Sequence, residues 1–221
     1  MDFAYNDEQK EIIKVVRDLV EKEIVPYASE MDETGKLHEG LLEKLAAQGL
    51  LGVAIPEEFG GAGLDAITIA AIYEELGKGC AGVATTVAAN ALASYPVIIA
   101  GNDDQKKRYF DIINEDNLAA FALTEPGTGS DAGSVSTRAM KTEDGKGYIL
   151  NGTKCLITYG ALAEVFVVFA NTRKSGGILF MTSVIVRKGT PCGTGGKSEN
   201  KIGISAANTT VLIFQDCYAP V

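Results

Sequence analysis

Apolar residues recur every three or four positions through the first half of the chain, and alternate or run unbroken through the second. Ile12, Ile13, Val16, Leu19, Val20 and Ile24 keep to one helical face as far as Pro26, and Asn6 with Gln9 three residues on forms a capping box, which together predict a first helix. Leu37, Leu41, Leu42 and Leu45 repeat the pattern and predict a second helix from about Leu37 to Gln48, stopped by Gly49, with His38 at its start. Asp65 caps a third helix through Ala70, Tyr73, Leu76 and Gly77; the Ala-rich segment from Ala81 to Ser94 reads as a buried fourth. Asn102 with Gln105 opens a fifth that carries Tyr109, Ile112 and Ile113. Between the second and third helices, the apolar Val53-Ala54-Ile55 meets Pro56 and the glycines Gly60, Gly61 and Gly63, a loop that must turn sharply or pack closely.

After Ser134 the period changes. Val135 to Thr142, a turn at Asp144-Gly145 and Tyr148-Ile149-Leu150 predict a hairpin. Val165 to Ala170, Ile178 to Val186 and Thr209 to Phe214 are continuous apolar strands, whereas Gly189 to Lys201, rich in Gly, Thr and Ser, reads as an exposed loop. Helices followed by strands predict an α+β chain: an all-α domain over 1–116 and an antiparallel β-barrel or sandwich over 117–221.

Composition narrows the function. A formal charge of −9 argues against a nucleic-acid surface, and the short clusters Lys106-Lys107-Arg108 and Arg187-Lys188 read as solvated element ends. No apolar run is long enough to span a bilayer, and the acidic N-terminus lacks the features of a signal or transit peptide, so no membrane association is expected. Cys80, Cys155, Cys192 and Cys217 lie far apart, without a C-x-x-C pair or companion histidines, so no zinc site is predicted and reduced thiols in a cytoplasmic protein are expected.

The junction between the halves carries the candidate chemistry. The apolar run Leu118 to Leu123 breaks into Thr124-Glu125-Pro126-Gly127-Thr128-Gly129-Ser130-Asp131-Ala132-Gly133-Ser134, with three glycines, four hydroxyls and two carboxylates in one loop. Such a loop can aim several backbone N–H groups at an anion or a cofactor edge. Gly127-x-Gly129-x-x-Ala132 fits a dinucleotide fingerprint, but a hairpin follows where that turn must open a helix. A Walker loop fails because no Gly-Lys-Ser/Thr follows, and pairing Ser130 with His38 as a hydrolase dyad leaves the histidine without an orienting partner. An inter-domain turn without a ligand explains Pro and Gly but not the hydroxyls.

Phe121 to Asp131 resembles the L-T-E-P-x-A-G-S-D signature of the acyl-CoA dehydrogenases. Val53 to Gly61, Leu150 to Thr158 and Asn200 to Ile204 are similar to further landmarks of that family in the same order, and the likeness is to its short-chain, butyryl-CoA type. The resemblance implies a helical domain and a β-domain that lays FAD against an acyl-CoA thioester, electrons leaving to an electron-transferring flavoprotein, and a homo-oligomer, tetramer or dimer, when full-length. It carries flavin contacts to Phe121, Leu123, Thr124, Gly129 and Ser130 and to Leu156, Ile157 and Thr158, with Ser130 also approaching the pantetheine arm of the substrate. Thr124 and Thr158 would offer N–H and hydroxyl groups to the polar edge of the isoalloxazine, while Glu125 and Asp131 are read as structural.

In the family the catalytic base is a glutamate of a C-terminal four-helix domain beyond the stretch matched here, so no residue of this chain carries over as catalytic and the chain alone is expected to be inactive. Smaller departures are Thr128 for Ala, Leu156 for a flavin-shielding aromatic, Tyr159 for Asn and Ser205 for Arg. They leave two alternatives open: a catalytically silent binding or assembly subunit of the same fold, and an acyl-CoA oxidase or flavin monooxygenase on the same scaffold.

Overall fold

The computed structural model describes residues 4–173, 178–190 and 193–220, with side chains left out of account at Ile178 and residues 193–195. It divides into two compact units, Met1–Ala91 with Asn200–Ala207, and Leu92–Glu199 with Asn208–Val221.

The first unit is helical. Helix α1 (Asp7–Leu19) starts at the expected capping box, Asn6 Oδ1 accepting from Gln9 N at 2.8 Å and Gln9 Oε1 from Asn6 N at 3.1 Å. The chain then continues through a wide π-helical turn (Val20–Ile24) and a 3₁₀ turn (Val25–Tyr27) that accommodates Pro26 near its start, where a missing N–H costs least. A short α2 (Ala28–Thr34), which the apolar period did not mark, ends at Gly35 with φ 66°. Helix α3 (Leu41–Ala47) begins four residues later than expected because Gly40 sits at φ 75°, outside the helical region, and this leaves His38 in a turn with its ring stacked on Tyr27 at 3.5 Å.

Asp65 caps α4 (Ala66–Gly79), as its sequence predicts. The buried Glu75 of α4 is paired with Arg17 of α1 at 2.9 Å and with Lys78 at 2.7 Å. Together these hold its carboxyl down to about 2, the Arg17 hydrogen bond contributing most against burial. In the same unit the 200–207 excursion is tied down by Ser205 N, which donates to Asp32 Oδ1 of α2 at 3.0 Å.

Helix α5 (Ala81–Ala100) runs past its expected end, with Pro96 inside it. At 20 residues it is long and apolar enough to cross a bilayer, a correction to the sequence reading. Half of that stretch is nevertheless buried in the protein, where it carries the buried polar residues Thr86, Asn90 and Ser94.

The second unit holds the end of α5, helix α6 (Asp103–Ile113) with its capping box at Asn102 and Gln105, and a curled seven-stranded sheet. The strands are β1 (Ala119–Ala122), β2 (Arg138–Lys141), β3 (Gly147–Thr158), β4 (Val165–Asn171), β5 (Met181–Arg187), β6 (Gly193–Ser198) and β7 (Thr209–Pro220). Their order is β1-β4-β2-β3-β7-β6, with β5 on β4.

Most ladders are antiparallel, but β1 pairs with β4 in parallel, Ala119 opposite Val165, so the sheet is mixed rather than purely antiparallel. Strand β6 corrects the expected loop at 189–201. Its Gly and Ser residues lack strand propensity, yet they suit a close pairing, since a Cβ on Gly196 would lie 2.9 Å from Val211 Cβ. Cys80 and Cys155 are free thiols as expected, whereas the buried Cys217 is disulfide-bonded, against the expectation; Cys192 lies outside the described residues.

Candidate functional site

All the sequence-predicted site residues fall in the second unit, on two neighbouring segments. Phe121 ends the β1 side, its ring 4.9 Å from that of Phe169, and Leu123 and Thr124 leave the strand beside β3. Hydrogen bonds join the two segments: Cys155 N donates to Thr124 O at 2.9 Å, and Lys154 Nζ donates to Leu123 O at 2.9 Å. The Leu123 carbonyl is therefore occupied by protein.

Glu125 organises the loop from within. Its carboxylate accepts from Ser136 N and Ser136 Oγ, both at 2.6 Å, from Thr137 N at 2.9 Å and Thr137 Oγ1 at 2.5 Å, and from Lys154 Nζ at 2.8 Å. Both members of the ion pair are buried, with side chains exposed by 1% and 0%. Burial alone would raise the Glu125 carboxyl, but the Lys154, Ser136 and Thr137 hydrogen bonds outweigh it and hold the group down to about 2. Burial pushes the Lys154 ammonium down, with Glu125 opposing.

Since Glu125 is depressed in the folded state, its stabilisation is fully present above about pH 4.5 and is lost as the pH falls through about 2. Between pH 5 and 2, wild type is expected to lose about 3 kcal/mol more stability than Glu125→Gln, read by urea unfolding; parallel curves would contradict the assignment.

The remaining loop geometry is local. Glu125 and Thr128 exchange backbone hydrogen bonds at 3.0 Å around Pro126-Gly127, and Thr128 Oγ1 donates to Ser134 O at 3.1 Å, giving the residue that departs from Ala a structural partner. Asp131 accepts from Ser134 N and from Ser134 Oγ, so it closes a turn as expected. Gly129 and Ser130 are exposed, and a Cβ on Gly127 or Gly129 would meet nothing within 4 Å. Packing within the protein therefore does not require glycine at either place. An open glycine face is what a closely approaching ligand needs.

On the second segment, Leu156 sits at φ 57° in a register shift of β3 and projects outward, 61% exposed. Ile157 turns its side chain into the core, its carbonyl accepting from Gly160 N at 3.2 Å, and Thr158 is half-buried opposite Thr209. Tyr159 follows β3 at φ 59° with its side chain buried, a left-handed position that Asn tolerates better. The sequence reading missed Lys154, Ser136 and Thr137, which shape the loop. Only the Asn151-Gly152-Thr153-Lys154 landmark signalled the first of them.

Comparison with known proteins decides the family. The domain described as "Acyl-CoA dehydrogenase, N-terminal domain" matches residues 6–114, and "Acyl-CoA dehydrogenase, middle domain" matches 120–217. The chain belongs to the acyl-CoA dehydrogenase family.

Among relatives of this chain, the acryloyl-CoA reductase (NADH) of Anaerotignum propionicum is 39% identical over all of it. The butyryl-CoA dehydrogenase structure from Megasphaera elsdenii is 39% identical, with TM-score 0.92 and full coverage of the chain. A chain from the structure titled as the electron transferring flavoprotein of Acidaminococcus fermentans, described there as a step towards a mechanism of flavin-based electron bifurcation, is 37% identical with TM-score 0.93, again over the full chain. The chain spans 56% of the length of the first of these and 58% of each of the other two.

Proposed function

We propose that this chain supplies the β-domain half of an FAD site in an enzyme that oxidises a short acyl-CoA thioester across its α and β carbons. The observation that carries the reading is the pairing of an open, glycine-bearing loop with an outward-facing β3 segment, joined side by side through Lys154 and Cys155. These residues fit a flavin, because Gly129 and Ser130 are exposed while Glu125, the carboxylate next to Thr124, is buried and neutralised by Lys154 at 2.8 Å. Thr124 and Thr158 hold the polar edge of the ring, Phe121, Leu156 and the backbone of Ile157 flank it, and Gly129 and Ser130 admit the pyrophosphate and pantetheine. Bound FAD accepts the hydride removed from the β-carbon.

The likeness to the Megasphaera elsdenii butyryl-CoA dehydrogenase supports a short acyl chain, and the likeness to the Acidaminococcus fermentans structure supports an electron-transferring flavoprotein as acceptor. The Anaerotignum propionicum relative is named for reduction, the same carbon pair run in reverse. The test is flavin titration. FAD is expected to bind this chain at the two segments, and butyryl-CoA is expected to bleach the bound flavin only when the family's glutamate base is supplied by a C-terminal domain; FAD binding elsewhere on the chain would refute the assignment.

A further inference from the structure

We propose that Lys154 is a positioning residue: by holding the Leu123 carbonyl at its ammonium, it turns the Thr124 N–H the opposite way, as a donor to the bound cofactor. The proposal rests on the flavin reading above. In a planar trans peptide the C=O and N–H point in opposite directions. The carbonyl of the Leu123–Thr124 peptide is fixed toward the Lys154 ammonium, Nζ donating to it at 2.9 Å, so the N–H of that same peptide is directed away from that ammonium.

Its neighbours are accounted for internally. Thr124 O accepts from Cys155 N at 2.9 Å, and Glu125 N donates to Thr128 O at 3.0 Å. Thr124 N–H has no acceptor among the described residues, and a Cβ on the nearby Gly127 or Gly129 would meet nothing within 4 Å.

The choice of residue supports this role. A buried ion pair is a poor way to gain stability, since well-packed apolar side chains of similar volume do as well or better. A cation with several donors can do what an apolar side chain cannot: hold a carboxylate and a carbonyl at once. Lys154 does so with Glu125 Oε1 and Leu123 O, while Ser136 and Thr137 keep the carboxylate from following the ammonium.

The test compares the wild-type chain with Glu125→Gln/Lys154→Met, which removes both charges at near-constant volume. In the chains without FAD, the amide residual dipolar coupling of Thr124 is expected to change while those of β3 and β7 stay the same. With FAD, the variant is expected to bind at least tenfold more weakly and to lose the FAD-induced shift at Thr124 while keeping the one at Thr158. An unchanged Thr124 coupling, or FAD affinity within twofold with the Thr124 shift retained, would reduce the pair to a structural role and overturn the proposal.

Should the variant not fold, the wild type alone decides: couplings that orient the Thr124 N–H toward the Lys154 ammonium overturn the proposal, and couplings that orient it directly away from that ammonium uphold it. Absence of FAD binding by wild type counts against the flavin reading instead, because the couplings are read without the cofactor.

Discussion

Lys154→Met alone is expected to destabilise the chain by about 3–5 kcal/mol, because it leaves Glu125 ionised, buried and short of its counter-charge. The loss should show in urea unfolding at pH 7 as a lower midpoint with little change in slope. Adding Glu125→Gln to it should recover part of the loss, since the amide carries no charge and its oxygen can still accept from one of the Ser136 and Thr137 N–H groups, although its NH2 then faces the other. The pattern separates a pair that matters by compensating charge from one that matters by volume. A single-variant loss below about 1 kcal/mol would mean that water reaches the carboxylate, and the buried clamp would be wrong.

The second large effect is expected at Gly152. A Cβ there would fall 2.4 Å from Thr137 Oγ1 and 2.7 Å from Thr137 Cα and Cβ, contacts that a side-chain rotation cannot relieve because backbone is among them. Gly152→Ala is therefore expected to cost about 1–3 kcal/mol and to push Thr137 off Glu125. The chemical consequence is distinct from the loss of stability: with a donor gone, the Glu125 carboxyl should titrate at higher pH than in wild type, and NMR of the side-chain carboxyl carbon would show it. An unchanged Glu125 titration would place Thr137 outside the clamp.

These two residues also mark where the sequence was legible. The helix starts at Asn6, Asp65 and Asn102 were readable because a cap and its partner lie within three residues, a distance over which sequence spacing fixes geometry. Helix α2 was not, because Ser29-Glu30-Met31-Asp32 carries one apolar residue, Met31, and its burial is set by packing. The start of α3 was misplaced because leucine periodicity ignores the left-handed Gly40, and β6 was missed because its glycines are selected for closeness to β7.

At the site, the motif marked the loop and the residues proposed to face a flavin, and it read Glu125 as structural. It could not show the role's content, since Lys154 lies 29 residues from Glu125 and a lysine within a strand ordinarily reads as exposed. The partners of Glu125 at Ser136 and Thr137 are equally invisible to spacing, for they are created by the fold of the loop itself.

The central claim is that the segments around Thr124 and Thr158 form one face of a flavin site. Titrating FAD to millimolar concentration into the ¹⁵N-labelled chain tests it directly: the amides of Thr124, Gly129, Ser130, Ile157 and Thr158 are expected to shift together along one saturation curve. Shifts confined to other parts of the chain, or none at these five, would contradict it.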